Sequence, residues 1–386
     1  MTRNRVPLGN YVTEYSVRNK DNEDIPVYSV TNSQGFCREY FGKEVASKDK
    51  TTYKIVPYGY FAYNPSRINV GSVDWQRCEA QVIVSPLYNV FSVSDELDRQ
   101  FLYYFLKSNI GRQMIRAKAA GSVRDNLKLD MLKEMTIPDS SLDDQRHCVA
   151  TLDNLQYLIE LRKKQLNELD NLVKARFVEM FGIYPANQMG WETGKIRDTV
   201  ADVRYGSSRP AVDGGKYPYL RMNNITYGGE LDLSDVKRID VPENELDKCT
   251  VRRGDVLFNR TNSKELVGKT CVYDRDEMMV LAGFVIRVRV NDRVLPEFLS
   301  AFLNTDFSKK TLSEMCKAAI GQANINAQEM QNIGLYLPPL ELQRQFVQFK
   351  KQIDKSKVVE SIHRMNVLFN ITLNGGNRYD IRANEF

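Results

Sequence analysis

The sequence contains few histidines and cysteines, the residues from which most protein zinc sites are built. It has two histidines, His147 and His363, and six cysteines, none of which belongs to a Cys-x-x-Cys pair. Protein zinc sites are built mostly from closely spaced cysteines and histidines, so a structural zinc ion is not expected. Dispersed cysteines in a large chain are typical of reduced thiols and not of a disulfide framework.

The sequence also lacks long apolar runs. No run approaches the ~18 residues that a membrane-spanning helix requires. Residues 1–7 include two arginines and a proline and have no apolar core of the kind found in signal peptides. We therefore expect a cytoplasmic protein with no membrane contact. The net charge of +5 permits a polyanionic partner but does not demand one.

Cofactor-binding loops are incomplete. Residues 263–270 come within one position of a phosphate-binding loop, but Ser263 stands where the first glycine is needed, and residues 271–273 are typical of a strand and not of a helix. Residues 64–67 lack the second proline and the aromatic residue of the loop with which amino-methyltransferases hold a flipped base. We therefore predict that this chain is not an enzyme and that it holds no cofactor or metal of its own.

What the sequence does contain is a long internal repeat. Residues 56–64 correspond to residues 251–259, and residues 135–145 correspond to residues 335–343. The spacing of about 190–200 residues is far longer than the unit of a solenoid. It predicts two globular domains of one type, each followed by a long helix.

Helical periodicity is clearest in two segments. Residues 141–181 carry an apolar seam of period 3–4, with Ser141 placed to cap the first turn and Gly182 placed to end the helix. The seam positions are Leu152, Leu155, Ile159, Arg162, Leu166, Leu169, Val173, Arg176 and Met180. A second seam begins with Leu342, Phe346, Phe349 and Ile353 and resumes after Ser356. Antiparallel packing of the two helices would bury both seams.

The predicted fold class is α+β. Two similar mixed α/β domains are joined and separated by two long antiparallel helices in a coiled coil, with a pseudo-two-fold repeat. Shorter patterns predict strands at residues 26–30 and 80–84 and a helix at residues 109–119. The predicted boundaries are 1–140 for the first domain, 141–185 for the central helix, 186–337 for the second domain, 338–374 for the distal helix and 375–386 for the tail.

Polar and basic loops follow strands at corresponding points of both copies. Arginine and lysine hydrogen-bond guanine edges, asparagine and glutamine match adenine, and serine and threonine adapt to bases or phosphates. These loops therefore predict contacts to double-stranded DNA, with no catalytic or metal-binding residue among them. The candidate residues are Thr31, Asn32, Ser33, Gln34, Asn64, Ser66, Arg67, Ser122, Arg124, Arg204, Tyr205, Ser207, Ser208, Arg209, Arg221, Asn223, Asn224, Arg260, Asn262, Ser263, Lys264, Gln322 and Asn324.

The chain resembles the specificity (S) subunit of type I restriction–modification systems. The stretches that carry the resemblance are residues 217–226, 254–263, 321–326 with 337–343, and 159–166 with 176–182. The resemblance implies two target-recognition domains, each contacting half of a split and asymmetric DNA sequence. It also implies two spacer helices, two docked methyltransferase subunits and two motor-nuclease subunits. S-adenosylmethionine, ATP and Mg²⁺ are then expected in those partner subunits and not in this chain.

Two departures from the family pattern leave details open. Residues 137–142 are two residues longer than residues 337–340 and lack the second proline, which leaves the start of the central helix undetermined. The tail after Leu373 does not follow the pattern expected at the end of the distal helix. Three alternatives also remain: a two-domain coiled-coil scaffold that never contacts DNA, a DNA-recognition subunit of another type of restriction system, and a fused methyltransferase.

Overall fold

The computed structural model describes residues 4–38, 49–119, 126–316 and 323–375, with side chains described up to residue 357. The chain divides into two compact units. Unit 1 comprises Met1–Leu161 and Arg364–Phe386, and unit 2 comprises Arg162–His363. Within the described ranges, no helix combines the length and the apolar character needed to cross a membrane.

Unit 1 is built from short strands and helices that lead into a long helix. The strands are β1 (Arg5–Pro7), β2 (Val12–Glu14), β3 (Ser29–Thr31), β4 (Gly35–Cys37), β5 (Lys54–Pro57), β6 (Phe61–Tyr63), β7 (Val73–Trp75), β8 (Gln81–Val84), β9 (Asn89–Val93) and β10 (Thr136–Pro138). The helices are α1 (Arg99–Lys107), α2 (Asn109–Ala119), α3 (Leu129–Lys133) and α4 (Leu142–Phe181), which continues into unit 2. An antiparallel sheet in the order β2-β9-β6-β7 is accompanied by the pairs β5·β8, β3·β4 and β1·β10.

Unit 2 repeats this plan with more strands. They are β11 (Glu192–Lys195), β12 (Val200–Tyr205), β13 (Tyr217–Leu220), β14 (Lys237–Ile239), β15 (Thr250–Val251), β16 (Val256–Asn259), β17 (Thr261–Asn262), β18 (Thr270–Val272), β19 (Met279–Leu281), β20 (Val285–Val290), β21 (Ala323–Asn324) and β22 (Gly334–Leu337). The helices are α5 (Glu243–Cys249), α6 (Pro296–Leu303), α7 (Asp306–Met315), α8 (Ala327–Gln331) and α9 (Leu340–Gly375). The sheets have the orders β12-β20-β16-β18 and β14-β13-β19-β15, with the pairs β11·β22 and β17·β21.

The central strand of each main sheet is buried on both faces. In β6, Phe61 and Tyr63 pack into the cluster that contains α1, while Ala62 packs into the cluster formed by β5 and β8. In β16, Phe258 faces the cluster of α6, while Leu257 faces the second sheet. A strand buried on both faces is a continuous apolar run and not an alternating one. This is why the two copies of the repeat are so easily recognised in the sequence.

A buried glutamine joins each long helix to the globular part that precedes it. In unit 1, Gln145 Oε1 accepts a hydrogen bond from Asp98 N at 2.8 Å, and its Nε2 donates to Ser140 O at 3.0 Å. In unit 2, Gln343 Oε1 accepts from Leu295 N at 2.8 Å, and its Nε2 donates to Pro338 O at 2.8 Å. Asp98 and Leu295 are the residues that precede α1 and α6. The repeat therefore extends to individual hydrogen bonds.

The long helices have the predicted apolar seam. Every predicted seam position of α4 is partly buried, whereas most intervening positions are exposed. In unit 2, Phe177 packs edge-on against Phe346 of α9 with ring centroids 5.2 Å apart, and Lys357 of α9 pairs with Asp170. Along the helix pair, the contacting residue numbers of α9 increase while those of α4 decrease. The two helices are therefore antiparallel in this unit.

The ends of α4 follow the predicted signals. Ser141 Oγ accepts a hydrogen bond from Asp144 N at 3.2 Å, and Gly182 adopts a φ of +81° after the last turn. The predicted helix at residues 109–119 is α2, and the predicted strand at residues 80–84 is β8. The predicted α+β class with repeated mixed domains and long helices is therefore confirmed. The numerical domain boundaries stay predictions.

Candidate nucleic-acid interface

In unit 2, four chain segments meet where β16 ends. Gly283 N donates to Ser207 O at 2.7 Å, and Arg260 N donates to Phe284 O at 3.0 Å. Ile325 N donates to Arg260 O at 2.9 Å. These bonds bring together the predicted loops at residues 205–209 and 260–264 and the segment that holds Asn324.

Arg260 is oriented by an aromatic ring. Its guanidinium carbon lies 4.9 Å from the centroid of Tyr205, and Tyr205 Oη accepts a hydrogen bond from Ala327 N at 2.9 Å. Among the described residues, no carboxylate forms an ion pair with Arg260, and its buried Nε has no hydrogen-bond partner. A cation held over a ring keeps its other donors available. This arrangement suits an acceptor that comes from outside the chain.

The other predicted arginines of unit 2 are paired with carboxylates. Arg204 Nε lies 2.9 Å from Asp202, and Arg221 Nη2 lies 2.9 Å from Asp235. Arg209 forms a bidentate pair with Glu245 at 2.8 and 3.1 Å, and its hydrogen bond lowers the pKa of Glu245. Exposed ion pairs of this kind contribute little stability. These arginines can therefore exchange a carboxylate for a phosphate at small cost.

Two predicted polar residues of unit 2 face inward. Asn224 is buried, its Oδ1 accepts from Arg221 N at 2.8 Å, and its Nδ2 donates to Asp232 O at 2.8 Å. Ser207 is also buried, and its Oγ accepts from Arg209 N at 3.2 Å. Both side chains therefore stabilise their own loops through hydrogen bonds to the backbone. Those that face solvent are Ser208, Asn223, Lys264 and Asn324, while Asn262 and Ser263 are partly buried.

In unit 1, the predicted loops meet around one lysine. Lys107 Nζ donates to Asn32 O at 3.1 Å, at the tip of the β3–β4 hairpin. It also donates to Gly71 O, in the segment that follows the predicted loop at residues 64–67. Burial lowers the pKa of Lys107. Through these two hydrogen bonds, Lys107 holds both loops at the end of the sheet where β6 terminates.

The side chains of the hairpin tip divide into inward and outward groups. Thr31 is buried, and its Oγ1 accepts from Gln34 N at 3.0 Å, so it stabilises the turn. Asn32, Ser33 and Gln34 are exposed. Gln34 Oε1 lies 3.1 Å from Cys37 Sγ.

The predicted loop at residues 64–67 of unit 1 also combines hydrogen bonds within the loop with side chains exposed to solvent. Asn64 Oδ1 accepts from Ser66 N at 3.1 Å and from Ser66 Oγ at 2.9 Å. Ser66 and Arg67 are exposed, and no described carboxylate pairs with Arg67. Of the remaining candidates, Ser122, Arg124 and Gln322 lie outside the described residues.

Sequence reasoning missed the residues that hold these loops in place. Ser72 Oγ donates to Val30 O at 2.5 Å in unit 1, and Lys269 Nζ donates to Met222 O at 2.8 Å in unit 2. Ser72 and Lys269 occupy equivalent positions, because each follows a glycine of positive φ and its carbonyl accepts from the backbone N–H of Asn64 or Asn259. The available signal was the pair of matched glycines, Gly71 and Gly268.

A family model and curated relatives match this chain. The model of the type I restriction modification DNA specificity domain matches residues 9–171 and 189–365. The EcoKI specificity subunit of Escherichia coli (strain K12), a type I restriction enzyme subunit, is 23% identical over 269 residues, which cover 66% of this chain and 58% of that protein. The MjaVIII specificity subunit of Methanocaldococcus jannaschii is 24% identical over 308 residues, which cover 72% of this chain and 70% of that protein.

Among solved structures, the fold is similar to that of a chain from a study of complex assembly and conformational transition in a type I R-M system. The TM-score is 0.58 at 18% identity, and the match covers 98% of each chain. At this identity the likeness establishes the fold. The family model matches well over half of the sequence. The chain therefore belongs to the type I restriction modification DNA specificity family.

Proposed function

We propose that this chain is the DNA-recognition subunit of a type I restriction–modification complex. Unit 1 contacts one half of a split DNA target through the loops around Lys107. Unit 2 contacts the other half through the loops around Arg260. Because the exposed side chains of the two sets differ, the two half-sites differ and the target is asymmetric.

The observation that carries this proposal is the position of Arg260. It is a cation held over Tyr205, without a carboxylate partner among the described residues, at the junction of four chain segments. Bidentate contact of arginine or lysine with guanine is the most frequent specific contact in the major groove. The neighbouring ion-paired arginines supply phosphate contacts, which position a protein on DNA without specifying bases.

The remaining parts of the proposal concern partners. Two methyltransferase subunits and two motor-nuclease subunits dock on this chain and provide S-adenosylmethionine, ATP and Mg²⁺ chemistry. The chain itself provides recognition. Membership of the specificity family and the names of the matched relatives support this division of labour.

Helices α4 and α9 determine the spacing of the half-sites in this proposal. Helix α4 has 40 residues, which at ~1.5 Å per residue extend on the order of 60 Å. Equivalent faces of B-DNA recur every ~34–36 Å. Insertion of one helical turn in α4 should lengthen the unspecified spacer of the methylated motif and leave both half-sites unchanged. A change in the bases recognised would contradict this assignment.

The direct test is methylome sequencing of the host with and without the gene for this chain. Loss of one bipartite methylated motif is the expected result. A motif that persists without the gene would refute the proposed function. A pure scaffold is distinguished by duplex binding of the assembled complex, because phosphate contacts make affinity fall steeply with salt.

A point substitution tests the site. Arg260→Ala and Asn262→Ala should each weaken binding of the unit 2 half-site, by about 1–3 kcal/mol for a base contact. Arg253→Ala is the matched control, since Arg253 is exposed, pairs with Asp276 at 2.7 Å and precedes the opposite end of β16. Equal affinities of the Arg260 variant and the control would remove Arg260 from the interface.

A further inference from the structure

Two large apolar side chains project into solvent at the same point of the repeat. Leu87 is 79% exposed in unit 1, and Phe284 is 53% exposed in unit 2. Isolated exposed apolar residues are common and need no explanation by themselves. Exposure at one structural position of both copies is a different observation, because the two units share that position and little of their loop sequence.

The equivalence follows from strand register. Gly59 and Gly254 both have positive φ and both precede the central strand, and four residues later come Tyr63 and Phe258. Tyr63 is paired with Asn89, and Phe258 is paired with Ile286. Leu87 and Phe284 each lie two residues before these partners, in the turn that enters β9 or β20.

Both turns lie beside the candidate interface. Phe284 O accepts a hydrogen bond from Arg260 N at 3.0 Å. In unit 1, Leu87 lies in the turn that enters β9, and Asn89 at the start of β9 pairs with Tyr63, the residue that immediately precedes the predicted loop at residues 64–67. Phe284 is thus adjacent to Arg260, and Leu87 lies at the end of the sheet where residues 64–67 begin.

A protein partner is less consistent with this setting than DNA. The buried centre of a protein–protein interface is a contiguous apolar patch with few charges. In unit 2, Phe284 adjoins Arg260 and the predicted loop at residues 205–209. In unit 1, Leu87 lies at the strand end where the loop at residues 64–67 begins. Each apolar side chain therefore lies at a strand end from which a polar or basic loop starts. In the major groove, thymine presents a C5-methyl group that accepts apolar contact, beside the hydrogen-bonding edges of neighbouring bases.

We propose that Leu87 and Phe284 each contact the C5-methyl group of a thymine, one in each half-site. The inference rests on the proposed function and adds two specificity-determining residues to it. Phe284 supplies the apolar contact beside the hydrogen bonds of Arg260. Leu87 supplies the equivalent contact in the half-site of unit 1.

Deoxyuridine, which is thymine without the methyl group, provides the probe. The methylation complex of the full chain with its methyltransferase subunits is assayed on duplexes in which one thymine at a time is replaced. For the wild type we expect about fourfold weaker binding at one thymine of each half-site, which corresponds to one methyl group removed from water. Phe284→Ala should bind the thymine duplex more weakly and be insensitive to deoxyuridine at its position. Leu87→Ala should behave likewise in the other half-site.

Met278→Ala and Tyr58→Ala are the matched controls, because Met278 (46% exposed) and Tyr58 (61% exposed) precede β19 and β6 at the opposite ends of those strands. Both should keep the wild-type response to deoxyuridine. The inference is overturned by a wild type insensitive at every thymine, by a half-site without thymine, or by a Phe284 variant as sensitive as the wild type. Loss of subunit assembly in the Phe284 variant would assign the side chain to a protein partner and overturn it too. Absence of any sequence-specific binding refutes the proposed function itself, whereas specific binding without a deoxyuridine effect refutes only this inference.

Discussion

Units 1 and 2 hold equivalent recognition loops with different side chains. The Ser72 hydroxyl donates to Val30 O of β3 in unit 1, and the Lys269 ammonium donates to Met222 O, after β13, in unit 2. In unit 1, Lys107 at the end of α1 donates to Gly71 O. In unit 2, Asn304, which directly follows α6, donates to Thr270 O. The position of each donor is kept while its chemistry changes. A framework of this kind lets loop sequences diverge without loss of the loop positions.

The space between the sheets is filled differently in the two units. Val90 in β9 is buried among apolar residues of unit 1. The matched residue of unit 2 is Arg287, which pairs with Asp202 at 2.8 Å and donates to Thr250 O at 2.5 Å. A buried ion pair adds little net stability, but removal of one member is costly. The same architecture therefore tolerates either an apolar or an ionic interior at this position.

The largest expected effect comes from replacing this arginine with its unit 1 counterpart. Arg287→Val should lower the free energy of unfolding by about 3 kcal/mol, because the carbonyl of Thr250 loses its donor and Asp202 loses its buried partner and keeps only the exposed Arg204. Urea unfolding followed through Trp191 in a Trp75→Phe background reports on unit 2. A loss below about 1 kcal/mol would contradict this prediction. It would show that the interior of unit 2 accepts an apolar side chain at this position, as unit 1 does, without the cost of a broken buried ion pair.

The glutamines in the first turns of the long helices should respond equally to substitution. Gln343→Leu and Gln145→Leu should each cost about 2 kcal/mol, because each removes the hydrogen bonds that a buried glutamine makes to one backbone N–H and one backbone carbonyl. Trp191 reports the first variant and Trp75 the second, each in a background without the other tryptophan. A large cost in one unit with none in the other would contradict the equivalence of the two repeats.

The last effect, which depends on pH, concerns a matched pair of cations. Lys309 in α7 corresponds to Arg112 in α2, and burial, with added repulsion from Lys174 and Lys269, lowers the pKa of Lys309 to about 8. Between pH 8 and 10.5 the folded state releases this proton while the unfolded state retains it, so the unfolding free energy gains a rising contribution. Lys309→Met lacks this contribution.

We therefore expect the stability advantage of Lys309→Met over the wild type to be greatest below pH 8 and to shrink toward pH 10. Urea unfolding at a series of pH values, followed through Trp191, measures it. Lys309→Arg, the unit 1 residue, serves as control because arginine stays protonated in proteins. Parallel pH curves for the wild type and the Met variant would contradict the assignment.

The sequence was informative wherever a period or a repeat carried the signal. The seam of α4, the bounds of α2 and the correspondence of the segments that hold β6 and β16 all follow from spacing along the chain. Thr31, Ser207 and Asn224 were predicted to contact DNA, but a polar residue in a turn can face either way, and here each one stabilises its own loop. The bonds of Ser72 and Lys269 join segments far apart in sequence, which leave no local pattern. Arg260 was selected by residue type alone, and its ring partner Tyr205 became apparent only in three dimensions.

The central claim is that each unit recognises its own half of one target. Methylome sequencing of cells that carry Arg260→Ala or Arg67→Ala tests it most directly. We predict that each variant relaxes one half of the methylated motif, that the two halves are different, and that the spacer length is unchanged. Relaxation of the same half by both variants, or an unchanged motif in both, would contradict the account.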